Sequence, residues 1–73
     1  MNKLSVASHL TVDEYKTLFQ TYVNHNRSMG MKERAFYTLS DIVKVEKNAK
    51  DNCLNVYYRN GEWWHYTKDG QWY

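Results

Sequence analysis

The residues able to do chemistry are few and scattered. Cys53 is the single cysteine, and the histidines are His9, His25 and His65. A thiol beside an imidazole would make a nucleophile and its base. Cysteine and histidine together would also hold zinc, given ligands paired as Cys-x-x-Cys or His-x-x-x-His. Neither spacing occurs in the chain. The adjacent carboxylates Asp13 and Glu14 have a simpler use at the start of a helix. Gly30, Gly61 and Gly70 stand far apart, so no glycine-rich phosphate loop is present. The residues point away from an enzyme, and no catalytic, cofactor or metal site is expected.

Aromatic side chains are the exception to this scarcity. Residues 57–73 hold seven of the chain's twelve aromatics: Tyr57, Tyr58, Trp63, Trp64, Tyr66, Trp72 and Tyr73. One face of a small sheet cannot hide so many rings, so some of them should meet water or a partner. Trp, Tyr and Arg are the residue types enriched at interface hot spots. Rings on a sheet can also stack on single-stranded bases, but such sites add a basic groove for the phosphates. Here Arg59 and Lys68 are balanced by Glu62 and Asp69, and the formal net charge of the chain is only +2. The basic residues Arg27, Lys32 and Arg34 gather elsewhere. A protein partner therefore fits better than nucleic acid.

The elements that position these rings can be read from pattern. Thr11 and Glu14 form a capping box, flanked by Leu10 and Tyr15 as a hydrophobic staple. Tyr15, Leu18, Phe19, Tyr22 and Val23 then make an apolar stripe at helical spacing. This helix should fade near Asn24-His25-Asn26. A second helix is predicted over Met31 to Leu39, with Met31, Ala35, Phe36 and Leu39 as its apolar positions. From Asp41 the period changes to that of strands. Ile42–Lys47, Cys53–Arg59 and Glu62–Thr67 are predicted strands, and Gln71–Tyr73 a short fourth. The fold class is α+β, with two N-terminal helices followed by an antiparallel meander of three to four strands.

Asn60-Gly61 and Asp69-Gly70 set the expected register. Two-residue type I′ turns would pair Tyr58 with Trp63, Tyr57 with Trp64 and Val56 with His65, and then Tyr66 with Tyr73. Leu54, Val56, Tyr58, Trp63, His65, Thr67 and Trp72 would share the core face, extended by Val43 and Val45. Cys53, Asn55, Tyr57, Arg59, Glu62, Trp64, Tyr66 and Tyr73 would share the other face, which separates Cys53 from His65. Candidate partner-contact residues are Tyr57, Arg59, Glu62, Trp64, Tyr66, Trp72 and Tyr73. Trp72 is the one of these that the register assigns to the core face.

At 73 residues the chain is one small domain, and it buries only about 60% of its unfolded surface. A lone cysteine leaves no intrachain disulfide to reinforce it, so a homodimer is the expected reinforcement. The same lone cysteine suits a reducing, cytoplasmic compartment. The first residues lack the apolar run of a signal peptide, and no stretch approaches the roughly 20 apolar residues of a membrane span.

In size, in its Asn-, Lys- and Tyr-rich composition and in its lack of enzymatic motifs, the chain resembles the small phage-encoded host-takeover proteins that inhibit the bacterial DNA polymerase sliding clamp. Clamp-binding peptides carry a glutamine followed shortly by a Leu-Phe pair. Leu18-Phe19 supplies the pair here, with Tyr15 at the glutamine position, and Gln71-Trp72-Tyr73 offers a glutamine with aromatics. The resemblance implies a dimer that occupies the clamp's peptide pocket or channel and stops host replication. The alternative is a small nucleic-acid-binding or transcription-regulating protein.

Overall fold

The computed structural model describes residues 4–73. Its main helix is α1, Val12–Arg27, followed by a single helical turn, α2, Met31–Arg34. The sheet is antiparallel, with β1 (Ile42–Asn48), β2 (Cys53–Tyr58) and β3 (Trp63–Thr67) adjacent in chain order. One face of the sheet packs on α1 and on the short 3-10 turn Ser5–Ala7. The architecture is α+β, with one main helix and three strands. No helix among the described residues is long and apolar enough to cross a membrane.

The start of α1 is where the capping residues put it. The Glu14 amide donates to Thr11 Oγ1 at 3.2 Å, and the Thr11 amide to Glu14 Oε1 at 2.8 Å. Two orphan amides of the first turn are thereby satisfied. The helix runs beyond its expected end, through Asn24, His25 and Asn26. Tertiary bonds compensate their poor propensity: Asn26 Nδ2 donates to the Tyr37 carbonyl, and Arg34 Nε to the carbonyls of Asn26 and Met29. Its buried side chains are Leu18, Thr21 and His25, with Tyr15 and Tyr22 partly buried. Phe19 lies at the edge of the stripe and is 37% exposed.

The second helix predicted over Met31 to Leu39 shrinks to one turn. A longer helix would bury little, because Met31 is 86% and Phe36 60% exposed. Thr38 and Asp41 close a capping box of their own, which starts the 3-10 turn Leu39–Asp41. The predicted fourth strand is a single bridge between Tyr66 and Trp72, extended by paired backbone bonds between His65 and Tyr73. Val43, expected in the core, is the extra residue of a bulge between Ile42 and Lys44 and is exposed, while Val45 is buried.

The largest correction concerns register. β2 pairs Tyr57 with Trp63, Val56 with Trp64, Asn55 with His65 and Leu54 with Tyr66. Every pair is one residue away from the expected one. A type I′ turn needs positive φ at both central residues. Gly61 (φ 91°) and Gly70 (φ 81°) have it, whereas Asn52 is the sole non-glycine residue with positive φ among those described. Both turns are therefore three-residue loops closed by a glycine bulge, with the Gly61 amide bonded to the Tyr58 carbonyl and the Gly70 amide to that of Thr67.

Each loop slips the pairing by one, and a slip of one exchanges faces. Trp64 and Tyr66 turn inward, while Trp63 and His65 turn outward. The second slip restores Trp72 to the inner face and Tyr73 to the outer. In the rejected register His65 would take the place of Trp64 opposite Val56, and Thr67 that of Tyr66 opposite Leu54. The choice thus sets Trp64 and Tyr66 against His65 and Thr67 at these inner positions, and the indole and the phenol have more apolar surface to hide.

Tyr66 is fully buried and Tyr58 2% exposed. Their hydroxyls lie 2.6 Å apart, and the Tyr66 hydroxyl is 2.8 Å from Nδ1 of buried His25. The ring of His25 stacks on Trp72 (centroids 5.2 Å, 25°) and meets Trp64 and Tyr66 edge to face at 4.6 and 5.6 Å. Thr21 Oγ1 donates to the Thr67 carbonyl and Asn24 Nδ2 to that of Gly70. The C-terminal third of the chain is thereby tied to α1 by both packing and hydrogen bonds.

Candidate aromatic contact face

The outward side chains of the sheet line up across the strands. Lys44, Tyr57 and Trp63 form one row, and Glu46, Asn55, His65 and Tyr73 the next. Tyr57 stacks on Trp63 (5.4 Å, 18°), Trp63 tilts against His65 (4.9 Å, 51°), and His65 stacks on Tyr73 (4.5 Å, 4°). Lys44 Nζ lies 5.4 Å from the Tyr57 centroid. Nearly parallel rings this close cannot lie side by side in one plane, so they overlap face to face with an offset. Two stacked pairs, Tyr57 with Trp63 and His65 with Tyr73, thus meet at the tilted contact of Trp63 and His65. Even so, Trp63 stays 46% and Tyr73 59% exposed.

The charges beside the row are paired. Lys44 Nζ meets Glu46 at 3.3 Å, and Tyr57 Oη donates to Glu46 Oε1 at 2.8 Å. The hydrogen bond from Tyr57, and then Lys44, hold the Glu46 carboxyl below its ordinary pKa. The same bond raises that of Tyr57. His65 Nδ1 faces the Tyr73 carbonyl at 3.3 Å.

The expected contact residues divide. Tyr57 and Tyr73 lie on the exposed face, and Glu62 is exposed at its turn. Arg59 is exposed but turned toward the loop before β1, donating to the Ser40 carbonyl at 2.8 Å and pairing with Asp41 at 3.5 Å. Trp64 and Tyr66, expected outward, pack against the core, as does Trp72. Trp63, His65, Lys44 and Glu46 belong to the exposed face and were missed. The signal that finds them is the single positive φ a glycine bulge needs, which allows Asn60 and Asp69 ordinary backbone angles.

Slipped register also puts Cys53 on the same face as His65. They are diagonal neighbours, because Cys53 pairs with Thr67 and His65 with Asn55. No Cys53–His65 hydrogen bond forms; burial pushes the Cys53 thiol pKa up, and Cys53 is only 8% exposed. A raised, buried thiol makes a poor nucleophile. Among the described residues no three His, Cys, Asp or Glu side chains gather as a metal site requires. Two open grooves flank α1 away from the row: Phe19, Val23, Asn24 and Gly70 line one of about 500 Å³, and Glu14, Thr17 and Lys47 one of about 630 Å³.

No protein-family model, curated protein or solved structure matches the chain.

Proposed function

We propose that the protein is a non-enzymatic inhibitor that docks a protein partner on the outer sheet face, through Tyr57, Trp63, His65 and Tyr73. The observation that carries this reading is a row of exposed rings whose faces are already stacked on one another. A single-strand binder needs open ring faces for bases to stack on, and unpaired cations to track phosphates. Here Tyr57 already stacks on Trp63 and His65 on Tyr73, Lys44 is paired with Glu46, and Arg59 with Asp41. Exposed rings, an indole among them, with flanking polar groups suit a protein surface, where a few aromatic anchors supply most of the binding energy.

The target is a bacterial protein, and the resemblance to phage proteins makes it the DNA polymerase sliding clamp, occluded sterically. Leu18 is 1% exposed, so the leucine of the Leu18-Phe19 pair is committed to the core and only Phe19, 37% exposed, meets solvent. That leaves the aromatic row, with exposed Gln71 beside Tyr73, as the surface that would meet the clamp. The test is calorimetric titration of purified bacterial clamp with the wild-type chain and with a Trp63→Ala/Tyr73→Ala variant, at low and high salt. Binding that is weakly salt-dependent and lost in the variant supports the reading. Absence of clamp binding removes the clamp as the target. Steeply salt-dependent binding to single-stranded nucleic acid would replace it with the alternative function. Light scattering on the same samples reports whether two copies pair through this face.

A further inference from the structure

Among the described residues His25 is the one ionisable nitrogen base inside the core, 3% exposed. What faces it is aromatic or phenolic on every side. Tyr37 comes from the turn after α2, at 6.0 Å between centroids. Trp64 and Tyr66 come from β3 and Trp72 from the C-terminal segment. Tyr58 of β2 stands one hydroxyl further along. Among the described residues no carboxylate pairs with the imidazole; Asp41 acts on the cluster through Tyr58, and Tyr22 through Tyr58 and Tyr66. An imidazolium here would gain a cation–π contact from the stacked Trp72, which offsets only part of the cost of burying an ion. Burial accordingly lowers the His25 pKa to about 4.

The place of His25 in the fold gives that charge a route outward. Trp72 is the ring stacked on it, and the next residue, Tyr73, closes the exposed row on His65. We propose that His25 is an acid-sensitive latch: protonating it releases Trp72 from α1 and thereby withdraws Tyr73 from the aromatic contact face. Loosening of the segment rests on the core geometry alone, and its effect on partner binding rests on the docking role proposed above. Asn24, which holds the Gly70 carbonyl, and Thr21, which holds that of Thr67, keep β3 itself on the helix. The opening is therefore confined to residues 71–73.

The experiment is nuclear magnetic resonance on the full chain from pH 7.5 down to about 3, a unit below the His25 pKa, following each imidazole separately together with amide exchange. The Tyr73 amide, bonded to the His65 carbonyl at 3.1 Å, is the reporter. Its exchange, corrected for the intrinsic pH dependence, should accelerate at least tenfold in step with protonation of His25. The amides of β2 should keep their protection. Acceleration that tracks His65 instead, or that appears equally at every amide, overturns the latch. A His25→Asn chain, with a neutral group near the Nδ1 position, should lose the pH response of Tyr73. Clamp affinity measured over the same range tests the functional half. Clamp binding that is absent at every pH would overturn the docking role while the Tyr73 response still decides the latch.

Discussion

The two faces of this sheet carry similar rings and use them oppositely. On the inner face, Tyr58, Tyr66, Trp64 and Trp72 surround His25, and the two phenol hydroxyls are consumed in a chain that ends on its imidazole. On the outer face, Tyr57, Trp63, His65 and Tyr73 also touch one another, but Trp63 and Tyr73 stay exposed to water and Tyr57 and His65 partly so. The inner set is bound to α1 and holds the fold together. The outer set is supported by the sheet alone. Aromatic content by itself therefore says nothing about role; parity along the strand and the presence of a covering helix decide it.

The comparison breaks most easily at Tyr66. Tyr66→Ala should cost about 3–5 kcal/mol, as for other buried aromatic truncations, and in so small a domain that is enough to unfold it at room temperature. Chemical denaturation followed by circular dichroism measures it. A cost near that of a surface residue would mean the inner face is not the core.

Acid should act on the inner face next. His25 is held near pKa 4, below its ordinary 6.5. Between those values the unfolded chain binds more protons than the folded one, so stability rises with pH. The stabilisation is complete above about pH 6.5 and is lost as pH falls toward 4, by about 3 kcal/mol over the whole range. Denaturation midpoints at pH 7 and pH 4.5, in wild type and in His25→Asn, give the difference.

The turns offer a finer contrast. Gly70→Ala should cost about 1–2 kcal/mol, because it combines positive φ with a collision. The added methyl would sit 2.7 Å from Asn24 Nδ2, whereas nothing lies within 4 Å of the corresponding position at Gly61. Gly61→Ala should therefore cost less. Equal costs in thermal unfolding would count against the contact between α1 and the second turn. Last is Trp63→Ala, which should cost only about 0.5–1 kcal/mol, because it removes ring contacts with Tyr57 and His65 but no core packing.

Much of the fold was legible where one local signal dominates. The box of Thr11 and Glu14 started α1, and the β-branched alternation from Ile42 marked the first strand. Turn dipeptides located both reversals but not their length, since Asn-Gly and Asp-Gly suit a two-residue loop and a glycine-bulged one alike. That single ambiguity moved Trp64 and Tyr66 inward and Trp63 and His65 outward. The second helix failed for a different reason: Met31, Ala35 and Leu39 have helical spacing, but Met31 and neighbouring Phe36 stay exposed and bury little. His25 looked like a helix breaker, because its partners Tyr66, Trp64 and Trp72 lie some 40 residues further along the chain. Long-range packing of this kind overrides propensity and leaves no local trace.

The central claim is that the outer row binds and the inner set folds. The most direct measurement is the affinity of Trp63→Ala/Tyr73→Ala for purified sliding clamp, taken beside its unfolding midpoint. The account predicts clamp binding by wild type, a loss of at least tenfold in the variant, and a midpoint close to wild type. Undiminished clamp binding by a variant that remains folded would contradict it.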